Sequence, residues 1–248
     1  MSGFRWSEMS PVRKRYFVRL LGRVLILLIC AFLCCSKPEE FEILTGWNFF
    51  QKPSLLHVLW GIWMIDMLEQ LLPINKKVPL GSQKLFRERF KPIREKINRT
   101  ALKEYILSTT RSAFWVLVLW AMLIGGIGIL YIRGFLTRAA VFMISVVFYV
   151  CDLICVLIWC PFRLIMKNRC CTTCRIFNWD HMMMFTPMLF VDSFYSWSLL
   201  GIALAVWLVW EACILLFPER FWEQTNAALQ CAQCTDKLCT QYCQKLRK

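Results

Sequence analysis

Long apolar stretches separated by short polar ones dominate the chain, and their lengths decide what they are. A helix rises 1.5 Å per residue, so crossing a hydrocarbon layer of about 30 Å takes roughly 20 mostly apolar residues. Residues 112–132 and 139–162 meet that requirement cleanly. Residues 17–35 meet it less cleanly: only 24–35 is free of charge, and Arg19 and Arg23 are expected to extend their guanidinium groups toward headgroups. Residues 54–72 are long enough but carry His57, Asp66 and Glu69. The last apolar region, 176–217, is 42 residues long, too long for one crossing. Within it, Phe194, Tyr195, Ser196, Trp197 and Ser198 have the character of a membrane interface and mark the expected tip of a hairpin. The pattern predicts an all-α polytopic membrane protein with about six transmembrane helices, at 17–35, 54–72, 112–132, 139–162, 177–195 and 198–217. The last two form either a hairpin of full crossings or a re-entrant pair. Residues 1–217 then form one transmembrane domain, followed by a tail at 218–248.

Composition agrees and excludes a separate soluble enzyme. Of 248 residues, 58% are apolar and 19% charged, against about 45–50% and 25% in soluble proteins. The basic start followed by an apolar run also fits a signal peptide. However, Cys34, Cys35, Ser36, Lys37 and Pro38 offer no small-residue cleavage site, so an uncleaved anchor is expected.

Charge orients the bundle, because Lys and Arg concentrate in cytoplasmic loops. Residues 1–23 hold six basic residues and one acidic, whereas 36–53 hold two basic and three acidic. Residues 84–111 hold nine basic and three acidic, and Arg163, Lys167, Arg169 and Arg175 follow the fourth crossing. Both termini are therefore expected in the cytoplasm of a cell-membrane protein. Residues 73–111 are read as a basic cytoplasmic loop. In it Phe86, Phe90, Ile93 and Ile97 alternate at helical spacing with Arg87, Arg89, Lys91, Arg94 and Lys96. That pattern predicts a basic amphipathic helix against anionic headgroups, interrupted by Pro92. No nucleic-acid motif accompanies it, so the bilayer is the expected partner. Asn98-Arg99-Thr100 matches a glycosylation sequon, which has no meaning on that face.

The 14 cysteines fall into two sets of seven. Cys30, Cys34, Cys35, Cys151, Cys155, Cys160 and Cys213 lie in apolar runs, where a thiol packs as a small hydrophobe. Cys170, Cys171, Cys174, Cys231, Cys234, Cys239 and Cys243 lie in polar segments. Cys171-x2-Cys174 and Cys231-x2-Cys234 are two knuckles that together complete a four-thiolate site of the kind that holds structural zinc. The charge argument places both knuckles in the reducing cytoplasm, which disfavours disulfides and suits metal binding. Cys170, Cys239 and Cys243 are further candidate ligands, and Asp180 and His181 candidates for orienting them. An iron–sulfur cluster on Cys231, Cys234, Cys239 and Cys243 is the alternative, although that spacing matches no ferredoxin run.

Charges inside a bilayer are functional candidates by default. Asp66, Glu69, Asp152 and Glu211, with His57, form a candidate polar seam. Two histidines and the absence of P-loop, dinucleotide, metalloprotease and serine-hydrolase patterns leave no identifiable catalytic centre. Gly125, Gly126 and Gly128 fall inside a crossing and point to close packing. The residues thus predict an integral membrane protein with a cytoplasmic cysteine-bound metal, zinc favoured, in a structural or regulatory role. A membrane iron–sulfur electron carrier and a small ion or soft-metal transporter using the intramembrane carboxylates are the alternatives.

Overall fold

The computed structural model describes residues 9–72, 85, 90–93, 98–167 and 174–230. Among them the chain is helical, without strands. Its α-helices are α1 (Pro11–Ser36), α2 (Leu56–Leu71), α3 (Arg99–Ile132), α4 (Arg138–Leu157), α5 (Phe162–Met166), α6 (Asp180–Phe185) and α7 (Phe194–Leu216). Four of these, α1, α3, α4 and α7, are long and apolar enough to cross a membrane. The 16 residues of α2 reach only roughly 24 Å.

Capping residues place the ends beyond the apolar runs. Ser10 accepts from the backbone N–H of Arg13 and Pro11 opens α1, so the helix begins six residues before the expected crossing. The Asn98 side chain accepts from Thr100 and Ala101, so α3 takes up residues 99–111 of the expected basic loop. At 34 residues α3 is longer than a bilayer crossing needs. Helix α4 instead stops at Leu157, short of Pro161, and a turn over 158–161 leads into α5.

Contacts between distant segments define two ends of the bundle. At one, Gly46 forms a parallel bridge with Ser193, its N–H donating to Asp192 O, while Arg138 bonds Thr45. Trp47 stacks on Phe194 there. At the other, Arg19 pairs with Glu69, Tyr105 bonds the carbonyl of Phe221, and Arg175 pairs with Glu211. Residues 175–190 therefore run the length of α7 in the opposite sense.

They do so as a broken path, where a crossing helix or one arm of a re-entrant pair was expected over 177–195. A 3-10 turn (Arg175–Trp179), the short α6 and a second 3-10 turn (Thr186–Phe190) succeed one another. Pro187 has no N–H to give the carbonyl of Met183, and the Thr186 hydroxyl donates to that carbonyl instead, while accepting from the Trp120 indole. Such a backbone is tolerated at membrane depth when protein surrounds it, and Met184, Phe185 and Met188 are buried in the core around Trp63, Phe142 and Tyr195. The turn before α7 lies at Val191–Ser193, with Ser193 as N-cap, so Phe194 to Ser198 are helical rather than a tip.

Of the amphipathic helix expected over 86–97, only residues 90–93 fall among the described residues, and they depart from a helix. Residues 91–93 are extended, Ile93 donating to Thr225 O and Ala227 to Lys91 O. Pro92 drives its predecessor out of helical geometry, and the Asn226 side chain accepts from the Lys91 N–H.

Candidate functional site

Residues three, four or seven apart on α1 bury one stripe, through Val12, Tyr16 and Leu20 to Arg23 and Cys30. Arg23 occupies a packing position on that stripe. Only 6% exposed, it meets the buried face of α4 instead of extending to headgroups as expected. Its Nη1 donates to Asp152 Oδ2 at 2.7 Å and to the carbonyl of Tyr149 at 2.6 Å, and the guanidinium lies 3.8 Å from the Tyr149 ring centre. The Tyr149 hydroxyl in turn donates to Asp66 of α2 at 3.0 Å. One guanidinium thus ties three helices together across a low-dielectric interior.

A second cluster abuts the first. Asp180 accepts from Gln70 Nε2 on both oxygens, from the His181 N–H at 2.8 Å and, through Oδ1, meets His181 Nδ1 at 3.1 Å. Asp180 is within electrostatic reach of Asp152, and Asp66 within reach of both Arg23 and His181. The two clusters form one interior network in which three carboxylates face one guanidinium and one imidazole. His181 Nε2 and Gln70 Oε1 are buried in it without a hydrogen-bond partner among the described residues.

The other expected members of the seam lie apart. Glu69 sits half-buried at the rim with Arg19. Glu211 accepts from Trp179 Nε1 at 2.6 Å and is doubly bonded by Arg175, which also bonds Thr110. His57 lies at the opposite end, between Phe49 O and Ser54. Gly128 alone of its trio packs closely, against the ring of Phe190 where a Cβ would overlap it; Gly125 and Gly126 have open space.

Beside the network lies a cavity of about 220 Å³ between α3, α4, α5 and α6. Asp152 and Asp180 reach its wall, as do Cys151, Cys155, Cys160 and Cys174. The Cys155 and Cys160 thiols are hydrogen-bonded across the end of α4. Two of the seven thiols read as apolar packers are therefore a pair on a cavity wall. No family model, curated protein or solved structure matches this chain.

Of the expected metal ligands, Cys174 alone falls among the described residues; Cys170, Cys171, Cys231, Cys234, Cys239 and Cys243 lie outside them. Cys174 is buried and borders a recess of about 20 Å³ with Tyr105, Pro218 and Phe221. No three His, Cys, Asp or Glu side chains among the described residues are grouped to hold a metal ion. Asp180 and His181, expected beside the cysteine site, bond each other and Gln70 instead.

The pairing of Arg23 with Asp152 was missed from sequence, although its signal is there: each lies at a helical step from the apolar positions its helix buries, Arg23 three after Leu20 and Asp152 three after Tyr149.

Proposed function

We propose that the protein is a six-crossing membrane protein, both termini cytoplasmic, whose cytoplasmic end is clamped by a zinc ion on Cys171, Cys174, Cys231 and Cys234. The crossings are α1, α2, α3, α4, the broken path 175–190 and α7. One observation carries the clamp: Cys174 shares its recess with Pro218 and Phe221. The segment that leads to the tail cysteines therefore passes directly beside Cys174. Cys174 and the segment 218–221 thus lie at one end of the bundle, and two segments that meet in space suit a shared tetrahedral ion.

Orientation follows from charge. The end bearing the Gly46–Ser193 bridge carries Lys37, Lys52, Arg133 and Arg138 against Glu39, Glu40, Glu42 and Asp192. The opposite end carries Arg13, Lys14, Arg15, Arg99, Lys103, Arg163 and Lys167 against Glu104, Glu219 and Glu223. The excess marks the cytoplasmic side. The clamp is structural or regulatory: metal holds residues 217–230 over α3, and its loss frees them. The bonding of Glu211 by Arg175 and Trp179 favours a latch there over the carriage of ions.

Metal analysis of anaerobically purified protein tests this, together with tryptic cleavage after Arg220 with and without a chelator. Stoichiometric zinc in a colourless protein, with cleavage accelerated at least tenfold by chelation, is expected. Metal-free protein with chelator-independent cleavage overturns the clamp. A brown protein with iron and acid-labile sulfide replaces it with the iron–sulfur reading.

A further inference from the structure

We propose that the cavity beside the charge network is a binding site for a small lipophilic cation: one ring or a short branched hydrocarbon bearing a single ammonium, seated against Asp152 and Asp180. Cys174, a proposed ligand of the zinc clamp, lies on the same cavity wall, but the proposal uses neither that thiol nor any of the clamp's tail residues.

Size comes first. A cavity of about 150 Å³ lined by apolar side chains takes up benzene, and drug-sized pockets begin near 300 Å³. At about 220 Å³, this one fits a ring with one short substituent. Its walls set the body of the ligand: Trp120, Phe148, Phe177, Met183 and Met184 present rings and thioethers, which suit an aromatic or branched apolar group.

Charge sets its head. Among the described residues the interior network sets three carboxyl groups, Asp66, Asp152 and Asp180, against Arg23 and His181, so with all three ionised and the imidazole charged it lacks one cation. A buried charge without a counter-charge is costly, and the two carboxylates that reach the cavity are where a cation relieves it. Among the described residues both retain capacity: Arg23 engages Oδ2 of Asp152 and leaves Oδ1 for another donor, and Oδ2 of Asp180 receives only Gln70. Arg163, the cavity's other charged residue, enters from α5. The groups acting most strongly on Asp152 and Asp180 are Arg23, His181, Gln70 and, on Asp152, Asp180 itself; Arg163 is not among them. The Trp120 ring adds a face on which an ammonium is attracted by the π-system.

Access is lateral. Helices α3 and α4 are joined by the short turn 133–137, and Cys151, on the cavity wall, is exposed on the flank of α4. A lipophilic cation partitioned into the bilayer therefore reaches the cavity without crossing the polar end.

The test uses three probes of one size and different charge, namely benzylamine, benzyl alcohol and benzoate, titrated calorimetrically into the full-length protein in detergent. Benzylamine is expected to bind at least tenfold more tightly than benzyl alcohol, with no binding of benzoate. Asp180→Asn is expected to bring benzylamine down to the affinity of the alcohol while leaving the alcohol unchanged. Because that variant disturbs the network, Cys151→Trp provides a second one: the indole fills the mouth from an exposed position and is expected to abolish benzylamine binding with Asp152 and Asp180 intact. Equal affinity for amine and alcohol overturns the cation, and preference for benzoate assigns the cavity to Arg163 and an anion. Undiminished benzylamine binding in Cys151→Trp overturns the location, and no binding by any probe overturns the site.

Discussion

Arg23 and Asp152 carry opposite charges into a space from which water is excluded, and the energetics of that choice are asymmetric. Removing one partner strands the other, at about 3–5 kcal/mol, whereas replacing both by apolar residues of similar volume is often neutral or stabilising. Arg23→Met is therefore expected to lower the thermal unfolding temperature in detergent sharply. The double variant Arg23→Met/Asp152→Leu is expected to regain most of the loss, and a double variant no more stable than the single one removes the pair from the list of tertiary ties. The guanidinium also stacks on Tyr149, whose hydroxyl holds Asp66, so the recovery is expected to be incomplete. The presence of a charge at residue 23 was visible in the chain, but its destination was not. A guanidinium on a stem of three methylenes extends to headgroups or turns inward according to what faces it, and only the register of α1 on α4 supplies Asp152.

Each helix of the bundle is bounded by local chemistry that apolar length does not report. Ser10, Asn98, Thr137 and Ser193 accept from the first-turn N–H groups of α1, α3, α4 and α7. Helix α2 begins at Leu56 with no side-chain bond from its own cap residue; the Leu55 N–H donates to Glu40, sixteen positions before the helix begins. Bonds from the Ser54 hydroxyl and from that N–H hold the Glu40 carboxyl below the ordinary glutamate value of about 4.3. A carboxyl depressed by folding contributes stability that is present above its unfolded value and lost as pH falls through its folded one. Protection of the Leu55 amide from hydrogen exchange, relative to its intrinsic rate at each pH, is accordingly expected to fall on acidification below about pH 4, and Glu40→Gln to abolish that pH dependence; identical profiles for the two proteins would remove the cap. The broken path 175–190 makes a further element-scale demand. Phe190 rests on Gly128, so Gly128→Ala is expected to cost about 1–3 kcal/mol by thermal unfolding, with Gly125→Ala and Gly126→Ala neutral. Equal tolerance at all three positions sinks the contact. Block lengths made α3, α4 and α7 legible as crossings, because twenty apolar residues have few other uses. The break at Pro187 escaped notice because hydropathy is blind to a missing N–H. The extended turn at 91–93 escaped because its partner, 225–227, lies more than 130 residues away.

For the whole molecule, the two ends of the bundle differ in more than charge. The end away from the basic residues is an aromatic assembly: Phe49 packs on Phe50, His57, Trp60 and Phe194, and Trp47 stacks on Phe50 and Phe194. The bridge from Gly46 to Ser193 joins the first interhelical loop to the start of the last helix. That single pairing has a consequence for biosynthesis. A ribosome finishes the 38–50 loop early but delivers Phe194 and Tyr195 only after some 140 further residues, at roughly 5–20 residues per second. Through that interval Trp47 and Phe49 wait without their partners from α7. A nascent chain halted before Ser193 therefore displays an unfilled aromatic socket, which is the kind of surface that chaperones and membrane proteases read as unfinished work.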